Sequence, residues 1–197
     1  MTRNQALVRF LCALLPLLFF AIVLFRVVSA AAPNSSIQVK LDTSKATPRQ
    51  VEDQTQQVIA RDYGDAWKHL EQALEKNRAD LLAADFAGAA LERWGSTVRE
   101  QGKTGMSQRL VDRGHHLEVL FYSVEGSAME LRDTAHFQVQ YLDGGKVLHS
   151  EQLTAHYMVL MTPAESSWKI RVLQEIPSET LPASAELRHA GEGTPSK

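Results

Sequence analysis

The chain has 197 residues, of which 44% are hydrophobic and 22% charged, and its formal net charge is −2. This ordinary globular composition excludes a collagen-like, a repeat-rich or a wholly disordered protein, and the length allows one domain with appendages. The apolar residues are unevenly distributed, because no charged or strongly polar side chain occurs from Phe10 to Phe25.

This apolar block predicts an N-terminal membrane anchor in residues 1–32. A helix of 16 residues spans about 24 Å, somewhat less than a hydrocarbon core of about 30 Å. If the side chain of Arg26 snorkels to the interface, the apolar segment continues to Ala32 and becomes long enough to span. The alternative is a cleaved signal peptide, with Arg3 and Arg9 before the apolar core and small residues at the cleavage site.

Both alternatives export everything after residue 32. We expect an uncleaved single-pass anchor in the cytoplasmic (inner) membrane, because the apolar run exceeds the usual core of about 7 to 15 residues in a signal peptide. Arg3 and Arg9 predict a cytoplasmic N-terminus and a domain in the periplasm or another extracytoplasmic space. Cleavage would instead give a secreted protein.

The exported part contains no cysteine, since the only one, Cys12, lies in the apolar block. It therefore has no disulfide, no thiol nucleophile and no cysteine metal site. Removing Arg3, Arg9 and Arg26 from the 21 basic residues leaves 18 against 23 acidic ones, a net charge of about −5. This acidic balance predicts that the protein does not bind nucleic acid.

The first half of the exported part has helical periodicity. Residues 33–46 are small and polar and are predicted to be a linker, and residues 47–177 the folded domain. Thr47, Pro48 and Gln50 form a helix-start pattern, so we predict a long helix from Pro48 to about Lys76. A short helix over Leu81 to Asp85 and a third helix from Gly88 to about Gly102 follow.

After Gly105 the periodicity changes to two, which is typical of strands. We predict strands over His115–Val124, Ala128–Leu142, Lys146–Met161 and Trp168–Ile176, and a disordered tail over residues 178–197. Asp143-Gly144-Gly145 is a strong hairpin signal. Matching apolar residues favours a three-residue loop that sets Ala135 opposite Leu153 and Leu131 opposite Tyr157.

Helices followed by about four antiparallel strands predict an α+β domain with helices packed on a curved sheet, preceded by one transmembrane helix. The pair Ala66-Trp67, the restart Asp80-Leu81-Leu82 and the final-strand Trp168-Lys169-Ile170 resemble the nuclear-transport-factor-2-like superfamily. The resemblance covers roughly Pro48 to Pro177. It implies the cone-shaped fold of scytalone dehydratase and ketosteroid isomerase, and it implies no particular reaction.

Within that superfamily, an anchor followed by an exported cone resembles two architectures that work by binding other proteins. One is the inner-membrane scaffold subunit of type IV secretion machines, and the other is the intermembrane-space domain of chloroplast-division proteins. We therefore expect a membrane-tethered, non-enzymatic binding or scaffold module with a protein partner or a second copy. Its exposed strand face would combine polar side chains with an apolar end: Arg132, Thr134, His136, Gln138, Gln152, Met158 and Leu160.

The alternative is a small apolar ligand, or a lyase or isomerase reaction, in the cavity of the cone. On the predicted inner face, apolar residues are interrupted by Asp133, His149 and Glu151, with Tyr157 diagonal to Asp133, and Trp67 lines the wall. A desolvated Asp133 would act as a base and Tyr157 would donate a hydrogen bond to a developing oxyanion.

The sequence predicts no metal site and no cofactor. Five histidines lie in the predicted sheet region, but no pair has helical ligand spacing and no clustered carboxylates complete a tetrahedral set. We expect these histidines at the solvent-facing surface or rim of the sheet: His115, His116, His136, His149 and His156.

Overall fold

The structure is a computed structural model that describes residues 37–177. The predicted anchor in residues 1–32 and the predicted tail in residues 178–197 lie outside the described residues. Between residues 37 and 177, no helix is both long enough and apolar enough to cross a membrane.

The described domain has helices first and most of its strands afterwards, as the change in periodicity predicts. Its elements, in chain order, are β1 (Val39–Asp42), α1 (Asp53–Lys76), a 3₁₀ helix (Ala79–Ala84), α2 (Gly88–Lys103), β2 (Met106–Tyr122), β3 (Met129–Asp143), β4 (Lys146–Pro163) and β5 (Trp168–Ile176).

The sheet has five strands in the order β1-β2-β3-β4-β5, rather than about four. The strands from β2 to β5 are antiparallel, and β1 lies parallel to β2 with Val39 opposite His115. Strand β1 lies within residues 33–46, where we expected a linker. Its four residues are too short for a periodic signal, and they become a strand because the distant edge of β2 accepts them.

Helix α1 begins five residues later than predicted. The segment before it runs extended along the end of β2, where the carbonyl of Thr47 accepts a hydrogen bond from the backbone N–H of Tyr122 at 3.0 Å. Pro48 forms a β-bridge with Tyr122, and the Arg49 guanidinium lies 4.9 Å from the centre of the Tyr122 ring. These contacts outweigh the local helix-start pattern.

Strand β2 begins nine residues earlier than predicted. Met106 to Gly114 lack alternation, but they pair with the end of β3 through Met106 opposite Asp143. Bulges interrupt this pairing between Asp112 and Gly114 and between Val119 and Phe121.

The predicted register of the β3-β4 hairpin is wrong by two residues. Gly144 and Gly145 form a two-residue turn with φ of 52° and 84°, the positive values that a type I′ turn requires. A bulge next to Tyr141 then shifts the pairing, so that Ala135 lies opposite Ala155. Because the total shift is even, every side chain keeps its predicted face of the sheet.

The core lies between α1 and the concave face of the sheet. Residues of α1 at helical spacing are fully or almost fully buried: Ile59, Tyr63, Ala66, Trp67, Leu70 and Leu74. Alternate residues of β3 are buried against them, which leaves the intervening residues on the outer face of the sheet. The concave face therefore holds the predicted site residues Asp133 and Tyr157, and Trp67 of α1 packs against it.

Candidate functional site

The centre of the domain contains a buried ionic and aromatic cluster. Asp133 has no exposed surface, and its Oδ2 atom accepts two hydrogen bonds. The hydroxyl of Tyr63 donates one over 2.7 Å, and Nδ1 of His115 donates the other, also over 2.7 Å. A charge in a protein interior needs such donors, because no water replaces them there.

A second carboxylate holds the other side of the His115 ring. Oδ1 of Asp112 lies 3.3 Å from Nε2 of His115, within ion-pair distance although without hydrogen-bond alignment. The same Asp112 oxygen accepts the backbone N–H of Gly114 at 3.0 Å. The Asp112–Gly114 hydrogen bond spans the bulge in β2. The bulge therefore directs the Asp112 side chain toward the imidazole of His115.

The two carboxylates keep His115 charged. Burial by itself lowers the pKa of His115, but the close contact with Asp112, the hydrogen bond to Asp133 and the negative charges of both carboxylates outweigh it and raise that pKa to about 9. Glu71 of α1 lies within electrostatic range of both Asp112 and His115. Burial and the negative charge of Asp112 raise the pKa of Glu71 to about 7.

Aromatic rings fill the space around this ionic cluster. The Trp67 ring lies 4.5 Å from the His115 ring, 5.5 Å from Tyr157 and 6.0 Å from Phe137, measured between ring centres. Trp67 is 2% exposed and Tyr157 5% exposed. The space beneath Asp133 and Tyr157 is thus occupied by the protein's own side chains.

Tyr157 lies directly opposite Asp133 on the neighbouring strand, rather than diagonal to it as predicted. Burial raises the pKa of Tyr157, and the charges of Glu175 and Asp133 raise it further. Tyr157 therefore stays protonated, which a hydrogen-bond donor needs. The hydroxyl that reaches the Asp133 carboxylate belongs, however, to Tyr63.

The other two candidates, His149 and Glu151, do not join this cluster. They lie near the hairpin, where both contact Tyr141: the His149 ring stacks on it at 6.0 Å, and Glu151 accepts its hydroxyl at 3.4 Å. His149 is exposed, and Glu151 is half-buried.

Sequence reasoning missed three members of the cluster. We placed His115 at the surface or rim, whereas it is 3% exposed. His115 lies on the inner face of the sheet because it pairs with Ala135. Two bulges in β2 interrupt the alternation of side chains, so this face cannot be predicted by counting residues along the strand. Tyr63 and Asp112 are absent from the predicted site residues, although both contact His115.

Part of the hydrogen-bonding capacity of the cluster remains unused. Among the described residues, Nε1 of Trp67 and Oδ1 of Asp133 are buried without a hydrogen-bond partner, as is Nε2 of His115 apart from its ion pair. The cluster can still donate from an indole and accept at a carboxylate oxygen. Within residues 37–177, no group of three or more ligating side chains has an arrangement that could hold a metal ion.

No family model and no curated protein matches this chain. Among solved structures, the intermembrane space region of chloroplast protein ARC6 is similar, with a TM-score of 0.54 and 16% identity. The match covers 66% of this chain and all of that one.

Two weaker structural similarities are to proteins described as dehydratases. A putative scytalone dehydratase from Novosphingobium aromaticivorans has a TM-score of 0.45 and 14% identity over 64% of this chain and 89% of its own. A putative dehydratase of the NTF2-like family from Streptomyces avermitilis has a TM-score of 0.41 and 10% identity over 62% and 97%. The domain therefore shares its fold with the ARC6 intermembrane space region, and a shared fold by itself specifies no activity.

Proposed function

We propose that this chain is a membrane-tethered, extracytoplasmic binding module without enzymatic activity, which binds a partner protein or a second copy. The observation that carries this proposal is the filled interior of the cone. The Asp133 carboxylate is bound by Tyr63 and His115, and Trp67 closes the space that a substrate would occupy.

The outer face of the sheet supplies the surface for a partner. It carries the polar residues expected from the sequence, and these bond to each other across strands: Thr134 with His156 at 3.2 Å, His136 with Thr154 at 2.9 Å, and Gln138 with Ser150 at 2.8 Å. Met158 and Leu160 supply the apolar end of the same face, opposite Arg132 and Glu130. A fixed polar array beside an apolar patch is a common composition for a transient interface.

The N-terminal block supports the location. Export behind an anchor with Arg3 and Arg9 on the cytoplasmic side would place the whole outer face outside the cytoplasm. Protease treatment of intact spheroplasts should digest a C-terminal tag while the chain stays in the membrane fraction. A tag that is protected in spheroplasts, or released in soluble form, would contradict this location.

Site-specific photocrosslinking of the full chain in its membrane tests the binding surface. A photoreactive residue at Gln152, exposed on the outer face, should give discrete adducts. Lys68 and Glu92, exposed on α1 and α2, are the matched controls and should give none. Equal adducts from all three positions, or none from Gln152, would reject the outer face as the interface.

The unused polar atoms favour one second candidate, a small polar ligand held beside Asp133. In a Trp94→Phe, Trp168→Phe background, Trp67 is the only tryptophan and its fluorescence reports on the cluster. Titration with acetate, imidazole and a planar aromatic ketone should leave that fluorescence unchanged if the interior is closed. A saturable change that Asp133→Asn abolishes would favour the ligand site instead.

A further inference from the structure

Strand β4 has one edge that its neighbours cover only in part. Strand β5 pairs with His156 to Pro163, whereas β3 pairs with β4 along almost its whole length. Residues 146–155 are therefore paired with β3 on one side, and no strand of the described residues pairs with them on the other. Such an edge presents backbone N–H and C=O groups to another strand.

The side chains of this free edge are unusually apolar for an exposed strand. Large hydrophobic residues with more than a third of their surface exposed number five in residues 37–177. Three of them lie on this segment: Val147 at 41%, Leu148 at 56% and Leu153 at 39%. Proteins usually protect a long exposed edge with charges or a covering segment, and here the charged side chains are Lys146 at one end and the half-buried Glu151.

We propose that the free edge of β4 pairs antiparallel with the same edge of a second copy, with Ser150 on the two-fold axis. This deepens the proposed binding role by naming a second copy as the occupant of a surface distinct from the outer face. The pairing would join two five-stranded sheets into one continuous sheet.

The pairing of an imidazole with a carboxylate selects this register. His149 and Glu151 project from the same face of the strand, since both contact Tyr141. A two-fold axis at Ser150 sets His149 of each copy opposite Glu151 of the other, so the favourable pair occurs twice. An axis at Glu151 would oppose two carboxylates, and an axis at Gln152 would set Glu151 against Leu153.

The chain's own C-terminal residues are a poorer occupant of the edge. Strand β5 ends at Ile176, opposite His156, where the free edge begins. The next residue, Pro177, has no backbone N–H, so it cannot donate the next hydrogen bond of the ladder. A second copy meets no such interruption.

Disulfide crosslinking of the full chain in its native membrane tests the pairing, in a Cys12→Ser background that removes the only cysteine. Residues directly opposite in an antiparallel pair have Cα atoms about 4.5–5.5 Å apart, within the range that a disulfide bridges. Ser150→Cys should therefore form a covalent dimer on mild oxidation. Gln152→Cys is the matched control, equally exposed on the same strand, and should not, because its two copies would be offset by about 13 Å.

A charge swap tests the register independently. In the Ser150→Cys background, His149→Glu and Glu151→Lys should each lower the dimer yield about threefold or more, because the first opposes two carboxylates and the second removes the carboxylate that faces His149. The double variant H149E/E151K again sets a carboxylate opposite a donor, now an ammonium group, and should restore the yield. A merely structural role of either residue would not give this rescue.

Three results would overturn the proposal. Ser150→Cys and Gln152→Cys could crosslink equally, or neither could crosslink. Alternatively, Ser150→Cys could crosslink only after deletion of residues 178–197, which would show that the chain's own tail covers the edge. Adducts from Gln152 photocrosslinking that contain a different protein, with no Ser150→Cys dimer, would remove the edge pairing and leave the proposed binding role standing.

Discussion

Asp133 is stable in the interior because two donors, from Tyr63 and His115, reach the same carboxylate oxygen. Asp112 completes the arrangement by holding the other side of the imidazole. Such a network gains little over a well-packed apolar core, but the loss of one member leaves an uncompensated buried charge. A single substitution in this network should therefore lower the free energy of unfolding by more than its share of the loss in a double substitution.

Asp133→Asn should lower the free energy of unfolding by about 3 to 5 kcal/mol, because it leaves the His115 imidazolium with one carboxylate instead of two. The double variant H115Q/D133N should lose less than the sum of the single losses. Urea denaturation followed by tryptophan fluorescence measures all three values. Strict additivity would mean that the two side chains do not form an ion pair in the folded state.

The raised pKa of His115 also predicts how stability depends on pH. Its folded-state pKa of about 9 lies above the ordinary value of 6.5, so its stabilisation is fully present below pH 6.5 and is lost as pH rises to 9. At about 1.4 kcal/mol per pKa unit, the loss is roughly 3 kcal/mol. Denaturation midpoints measured from pH 7 to 9.5 should decline in the wild type and stay nearly level in His115→Gln.

Glu71 acts in the same direction at lower pH. Its folded-state pKa of about 7 exceeds the ordinary 4.5, so the folded state binds the proton more tightly and stability falls between these values. The His115→Gln profile should therefore keep its decline below pH 7.

At the scale of elements, one carboxylate ties α1 to β5. Asp62 is 4% exposed, and its Oδ2 atom accepts the backbone N–H of Trp168 at 2.7 Å. Its other oxygen pairs with Arg61. The contact joins residues 106 positions apart in the chain and fixes where the last strand begins.

Asp62→Ala should lower the free energy of unfolding by about 2 kcal/mol. It removes a hydrogen bond to a charged group and leaves the backbone N–H of Trp168 without its acceptor. Asp65→Ala is the matched control, because Asp65 is exposed on the same helix and should change stability by less than about 0.5 kcal/mol. Thermal melts of the two variants side by side give the comparison. Equal losses would show that helix propensity, and not the tie to Trp168, is being measured.

At the scale of the whole molecule, β4 connects two different environments. Ala155 to Pro163 lie almost entirely between two strands and have alternate side chains buried, whereas Lys146 to Thr154 have one strand neighbour and are mostly exposed. Local opening needs the loss of fewer contacts in the exposed half. This half is also the one with the proposed pairing edge.

Hydrogen exchange should therefore separate the two halves of β4. In dilute protein, amides of 155–163 should exchange more slowly than those of 146–154. As the protein concentration rises, part of the 146–154 set should gain protection while 155–163 stays unchanged, because only the free edge can gain hydrogen bonds from a second copy. Concentration-independent exchange in both halves would contradict self-association through this edge.

Much of the fold follows from local pattern. The α1 stripe from Ile59 to Leu74, the start of α2 at Gly88, the long hairpin around Gly144-Gly145 and the α+β class are visible in the periodicity of side chains. The inner faces of β3 and β4 also follow, because alternation fixes them and the shift in register was even. Asp133 and Tyr157 could thus be placed on one face of the sheet from the sequence, with Trp67 on the helix stripe that packs against it.

What tertiary structure decided depends on pairing between distant residues. Strand β1 exists because β2 accepts it, α1 starts late because Thr47 and Pro48 are held by Tyr122, and His115 turns inward because bulges in β2 set its alignment. A bulge adds one residue to a strand and has no signature in the composition. The alternation of apolar and polar residues therefore does not predict which face of the sheet a residue beyond the bulge occupies. The sequence by itself determined a helical layer on a two-faced sheet with a carboxylate inside, and only the folded sheet decided that a histidine and a tyrosine would bind that carboxylate.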